Sequence, residues 1–243
     1  SQILKSFSVR DKIKIVIRKN DMSTHDPAKF ELDGDLNTPF IEQRKILRET
    51  FCQLKAYAKK HAATVNDVML SAYIHSLNRT FGHVVAIPCT VDLRKYLVDH
   101  KAKGICNLCT NLSCNIGQEI GTTFEQTLGK VKQTMDREKS SISCIKSIAL
   151  LEKVFDILPY RTAKGIVEKS FSNAPIAFTN IGIIDKTSLS FGKVEITEAY
   201  MTGSIKYAPY FQLAISTYDN QATLSINLYG TQSDRSRISL FLD

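Results

Sequence analysis

No stretch of the chain reaches 18 consecutive apolar residues, so the sequence holds no candidate membrane span. The opening SQILKSFSVR lacks the apolar core of a signal peptide. It also lacks an initiator Met, which reads as a cut end and not as the start of a gene product. No internal repeat and no low-complexity tract interrupts the chain. Its 32 Lys and Arg exceed its 24 Asp and Glu, for a net charge of +8. That excess permits contact with phosphates on nucleic acid, anionic lipid or a nucleotide-bearing cofactor. The basic residues are scattered, however, and do not interleave with aromatics as in single-strand binders. No nucleic-acid partner is expected. Six cysteines at irregular spacing, with no signal peptide, imply reduced thiols and a cytoplasmic location.

What is present is an ordinary globular composition, 43% hydrophobic and 23% charged over 243 residues. Such a chain buries a full core without staples. KIKIVIR (12–18) alternates as a strand. Residues 20–39 are polar and contain Pro27, Gly34 and Pro39, so 1–39 reads as a leading strand and connecting segment. Residues 40–243 form the main subdomain. From Phe40 a helix is expected, with Leu47, Phe51, Leu54 and Ala58 on its apolar side and Arg44, Arg48, Lys55 and Lys59 on a solvated face. Thr64, with Asp67 three residues on, should cap a second and more buried helix. Residues 83–93 read as a strand, with Pro88 marking an edge or a bulge. Phe124, Leu128, Val131 and Met135 mark a further helix, 144–158 is more apolar, and a short helix follows Pro159. Strands are expected at 174–182, 188–196, 211–217 and 222–230, the last two joined by a Tyr218–Gln221 hairpin turn. Ser233 is the expected cap of a final helix through Leu242. The sum is an α/β fold with a mixed β-sheet packed with helices.

ICNLCTNLSCNIG (105–117) concentrates Cys106, Cys109 and Cys114. On a strand, Cys106, Leu108, Thr110, Leu112, Cys114 and Ile116 share one face. Asn107, Cys109, Asn111, Ser113 and Asn115 share the other. Three thiolates split over two faces cannot converge on one metal, and no Cys or His pair with ligand spacing lies nearby, so no metal site is expected. Cys106 and Cys114 read as small core residues. The polar face has two readings. It faces solvent, or it lines a polar cleft in which amides bond a ligand's amides.

Four stretches together carry a resemblance. ATVNDVMLSAYIHSL, IPCTVDLRKYL, NLCTNLSCNIG and FTNIGIID follow one another in the order and spacing of motifs in the C-terminal half of chloramphenicol-acetyltransferase-like acyltransferases. That superfamily includes condensation domains and alcohol acetyltransferases. The resemblance covers most of residues 40–230. It implies a chloramphenicol-acetyltransferase-like half-domain. It also implies transfer of an acyl group from a thioester, on coenzyme A or a phosphopantetheine arm, to an alcohol or amine. The thioester is a co-substrate, and no covalently bound cofactor is implied. The family's general base lies in a His-His-x-x-x-Asp-Gly motif of the N-terminal half. This chain has His25, His61, His75, His83 and His100, none doubled, each read as a surface or packing residue. The resemblance therefore implies an enzyme half whose partner is the missing N-terminal half. The alternative is a non-catalytic condensation-like interaction module.

Residue by residue, Arg94 matches the arginine that pairs with the Asp of the missing motif, a task suited to a guanidinium fork. Thr179 and Asn180 match a polar pair near the reaction centre, where a hydroxyl can stabilise an oxyanion. A strand-end Asn bonding its own backbone fits Asn180 equally well. Asn107, Asn111 and Ser113 would line the tunnel for a pantetheine arm with its two amides. The Asp-Phe-Gly-Trp-Gly motif of some branches is absent, and SFGKVEI (190–196) is at best its remnant.

Overall fold

A computed structural model describes residues 31–82, 86–100, 104–140, 145–170 and 176–243. The expected strand at 12–18 and the histidines His25 and His83 lie outside the described residues.

The first element corrects the reading of 40–60 as one helix. Residues Pro39–Ile46 form strand β1, and helix α1 begins only at Arg48 and runs to Lys60. The period is the reason. Phe40, Glu42, Arg44 and Ile46 alternate with more exposed residues, while helical spacing starts at Leu47. Arg44 thus leaves the helix face and bonds Asp243 and Ser239. Arg48 and Lys55 reach Asp219 and Asn220.

Helix α2 (Val65–Phe81) carries the expected cap. Thr64 and Asp67 form a reciprocal capping box, worth about 1 kcal/mol in comparable helices. Gly82 closes the helix at φ 77°, a left-handed position that a glycine takes without a Cβ penalty. Strand β2 (Ile87–Asp92) ends in a 3₁₀ turn over Leu93–Tyr96. Strand β3 (Cys109–Cys114) is shorter than the 105–116 alternation suggested. Helices α3 (Phe124–Ser140), α4 (Lys146–Ile157) and α5 (Tyr160–Ser170) follow. Then come β4 (Ile176–Ile184), β5 (Lys206–Tyr207), β6 (Phe211–Tyr218), β7 (Gln221–Tyr229) and α6 (Gln232–Leu242). The β6–β7 turn places Asp219 and Asn220 at φ 45° and 58°. Those positive values are what a two-residue hairpin turn requires, and Asp and Asn tolerate them.

Three further expectations are corrected. Thr231, not Ser233, caps α6, again through a capping box with Asp234. SLSFGKVEI forms no strand. A 3₁₀ turn at Lys186–Ser188 ends on its first residue, and one bridge joins Phe191 to Val194 within it. Gly192, at φ 64°, turns the chain back between those two residues. Pro88 sits in an interior strand, between β4 and β3. The β2–β4 ladder there is one register pair, Cys89 opposite Phe178, so few hydrogen bonds need the missing N–H.

The sheet runs β1-β7-β6-β4-β2-β3, with β5 beside β7. It is mixed: β4 is parallel to β2 and β6, and the other long pairs are antiparallel. One face builds the core with α2, α3 and α6. Phe178, Phe211, Leu213, Ile215, Ile226 and Leu228 pack there against Leu70, Tyr73, Ile74 and Phe241.

Candidate functional site

The other face of the sheet is polar, and register fixes its membership. Cys89 and Phe178 lie opposite each other and point into the core. Their neighbours Thr90 and Thr179 therefore share the opposite face. Asn111 lies opposite Thr90, and Ser113 opposite Pro88. Ala214 lies opposite both Thr179 and Ser225. A band of hydroxyls and amides thus crosses the sheet from Ser113 and Asn111, through Thr90 and Thr179, to Ser225.

Over β6 and β7 this band is roofed by an irregular strap, residues 196–205. Its backbone satisfies the side chains beneath. Tyr218 donates to the Ile196 carbonyl at 2.6 Å, and Asn227 donates to the Gly203 carbonyl at 3.0 Å. Ser216 accepts from the Met201 N–H at 3.1 Å. Ser225 donates to the Met201 carbonyl at 3.5 Å, so Ser216 and Ser225 are buried with partners, while buried Asn227 pairs its NH₂ and leaves its Oδ1 without a partner among the described residues. Over β2 and β3 the band is more open. Asn111 is exposed, and Thr90 and Ser113 are half-buried.

Thr179 sits where the roofed and open parts meet. It is buried, and no hydrogen bond to its hydroxyl comes from the described residues. Asn180 is different. Its Oδ1 accepts the Gly182 N–H at 3.0 Å, at a bulge in the β4–β6 ladder. Of the two readings open for Asn180, the backbone-bonding one describes its geometry. Asn107 likewise spends its Oδ1 on the Cys109 N–H, at 3.1 Å. Asn111 Oδ1 accepts from the Thr90 hydroxyl at 3.4 Å, which turns its NH₂ group away from Thr90. Thr90 escaped the sequence reading. Its signal was the alternation through Cys89 and Val91, opposite the asparagine strand.

Arg94 caps the open end of the band. Its Nη1 lies 3.1 Å from Asp92 Oδ1, and its Nη2 donates to the Cys106 carbonyl at 3.2 Å. The guanidinium is partly exposed and held by a local acid. It ties the turn after β2 to the residues leading into β3.

The cysteines divide as β3's alternation dictates, with one correction. Cys114 is buried and Cys109 exposed, on opposite sides of the strand. Cys106 lies before the strand begins and is exposed, so it is not a core residue. Burial pushes the Cys114 thiol up to about 12 and the Cys89 thiol well above its ordinary value. Both stay protonated and unreactive at neutral pH.

The described histidines do other work. His75 Nε2 is 2.8 Å from Thr127 Oγ1, and its ring stacks on Phe124. The Thr127 hydroxyl also lies 2.7 Å from the Ile120 carbonyl and 3.3 Å from the Thr123 carbonyl, so His75 joins α2 to the start of α3. His61 closes α1 against Tyr57, and His100 is exposed.

Solved structures place this fold. The chain is similar to the epimerization domain of tyrocidine synthetase B, at TM-score 0.63 and 12% identity, over 99% of this chain and 56% of that one. It is also similar to trichothecene 15-O-acetyltransferase from Fusarium sporotrichioides, at TM-score 0.59 and 13% identity, over 88% and 46%. The condensation domain of Monacolin K polyketide synthase gives TM-score 0.59 and 16% identity, over 84% and 46%. The chain spans about half the length of these proteins. A comparison with curated proteins finds no match. The architecture is that of a chloramphenicol-acetyltransferase-like acyltransferase half. The WS/DGAT C-terminal domain model matches residues 106–236, more than half of the chain, and the chain belongs to that family.

Proposed function

We propose that this chain is the C-terminal half of a thioester-dependent O- or N-acyltransferase, and that the polar band is its share of the substrate tunnel. In this reading the chain binds and orients the substrates, and proton removal belongs to the other half. Asn111 presents its NH₂ to a carbonyl of the pantetheine arm of coenzyme A or a carrier protein. Ser113 adds a hydroxyl beside it. As the acceptor oxygen or nitrogen attacks the thioester carbonyl, charge gathers on that carbonyl oxygen. The Thr179 hydroxyl donates to it. A donor aimed at developing charge, in a site that excludes water, is worth most in the transition state. Arg94 holds the turn at the tunnel mouth, where an acid of the other half would replace Asp92 as its partner.

The observation that carries this reading is Thr179, a buried threonine in the middle of a polar sheet face whose hydroxyl takes no hydrogen bond from the described residues. The test is thiol release from an acyl-coenzyme A by protein carrying both halves. Thr179→Val should lower kcat by about 10²–10³-fold with KM little changed, and Thr179→Ser should restore most of it. Equal kcat for Thr179→Val and the parent would remove Thr179 from the chemistry.

A further inference from the structure

The segment that crosses the polar face has its own polarity reversed. Between β4 and the strap the chain makes one tight bend, in which Phe191 and Val194 form a bridge around Gly192 and Lys193. Directly opposed residues of an antiparallel pair project to the same side. Phe191 and Val194 therefore make one apolar tip, 63% and 65% exposed. The strap, 196–205, follows. Its backbone polar groups turn inward, to Tyr218, Ser216 and Asn227. Its apolar side chains Tyr200, Met201 and Ile205 are exposed. The acids of this stretch are already engaged, Glu195 at 3.5 Å from Lys186 and Glu198 at 2.5 Å from Lys45. Single exposed apolar residues are ordinary, but a run of them along one anchored segment marks a contact.

Fold and composition identify the occupant. This chain covers only 56%, 46% and 46% of the three solved proteins of the same architecture, so about half of such a fold lies outside it. One face of the sheet is already covered by α2, α3 and α6. On the other, the strap roofs β6 and β7, and the open part at β2 and β3 needs a second wall to become a tunnel. Tyr, Phe and Met, the residues of the tip and the strap's outer side, are those that protein interfaces enrich. We propose that the Phe191–Val194 tip and the outer side of the strap are the surface on which the other half of the acyltransferase fold seats. The strap is then clamped between the halves, by hydrogen bonds to β6 and β7 beneath and by apolar contacts above. The inference rests on the reading of this chain as one half of a larger fold, and it uses neither Thr179 nor the chemistry of the polar band.

The test is hydroxyl-radical footprinting, read by peptide mass spectrometry, on this chain and on protein carrying both halves. In this chain Phe191, Tyr200 and Met201 should be modified freely. With both halves present their modification should fall several-fold, toward that of buried Phe178, while Leu240, exposed on α6, reacts as before. Phe191→Lys with Met201→Lys should return Tyr200 to the rate seen in this chain and leave this chain's Tm at the parent value. Equal modification of the strap in the two proteins would overturn the proposal, and so would protection that survives the double Lys change. Protection in this chain alone that grows with its concentration would assign the surface to a second copy, and the proposal would fall. The catalytic reading is judged separately, by thiol release from the Thr179 variants. A protected strap beside a fully active Thr179→Val would uphold the docking surface and remove only the oxyanion role.

Discussion

At the scale of residues, the cysteine cluster shows how side-chain type misleads when backbone direction is ignored. Cys-x2-Cys-x4-Cys is suggestive spacing, but β3 separates Cys109 from Cys114. Reactivity should follow burial. Iodoacetamide at neutral pH should label Cys52, Cys106 and Cys109 in the native protein and spare Cys89 and Cys114, as read by peptide mass spectrometry. Rapid native labelling of Cys114 would contradict its place in the core. Arg94 is a second case. Its pair with Asp92 is exposed on both sides, with 38% and 59% of the side chains accessible, and pairs of this kind are worth roughly 0–1 kcal/mol. Arg94→Ala should therefore barely move the Tm of this chain. A loss of several degrees would mean that Arg94 holds the local fold and is not kept for a partner.

Elements were legible wherever one period dominated. The capped helix α2, the β6–β7 hairpin and the alternation of β3 could all be read from residues alone, because capping, turn chemistry and pleat act locally. The failures were of two kinds. PFIEQRKI joins a polar strand directly to a helix through Leu47, and no turn residue marks the change of period. SLSFGKVEI alternates like a strand but finds no partner strand. Its end, at Ile196, is instead tied by the Tyr218 hydroxyl to β6, a long-range choice that no local pattern reveals. The polar band was half visible. Asn111, Ser113 and Thr179 stood out, but Thr90 joins them only through sheet register.

Asp234 illustrates an element-scale dependence on pH. It is fully buried, caps α6, and accepts the N–H groups of Asp33 and Gly34, tying the segment before β1 to the last helix. Burial alone would raise its pKa. The hydrogen bonds from Thr231, Asp33 and Gly34 outweigh it and hold the carboxyl below its ordinary value. A depressed folded value stabilises the fold fully above the ordinary carboxylate range and is lost as pH falls toward the folded value. Asp234→Asn should cost about 1–3 kcal/mol at neutral pH and flatten the acid limb of the Tm–pH curve. An acid limb as steep as the parent's would place that proton linkage elsewhere.

At the scale of the whole molecule, the chain is one sheet with two unlike faces. One is apolar and packed by helices. The other is polar, roofed at β6 and β7 and open at β2 and β3. The family match and the fold assign it to the C-terminal half of an acyltransferase architecture. The central claim is that the open part of the polar face receives the thioester's arm. The most direct measurement is an amide-resolved NMR titration of this chain with pantetheine. The account predicts chemical-shift changes centred on Thr90, Asn111, Ser113 and Thr179, including the Asn111 side-chain NH₂, and weakened by Asn111→Ala. Changes confined to the helical face of the sheet, or none at saturating pantetheine, would contradict it.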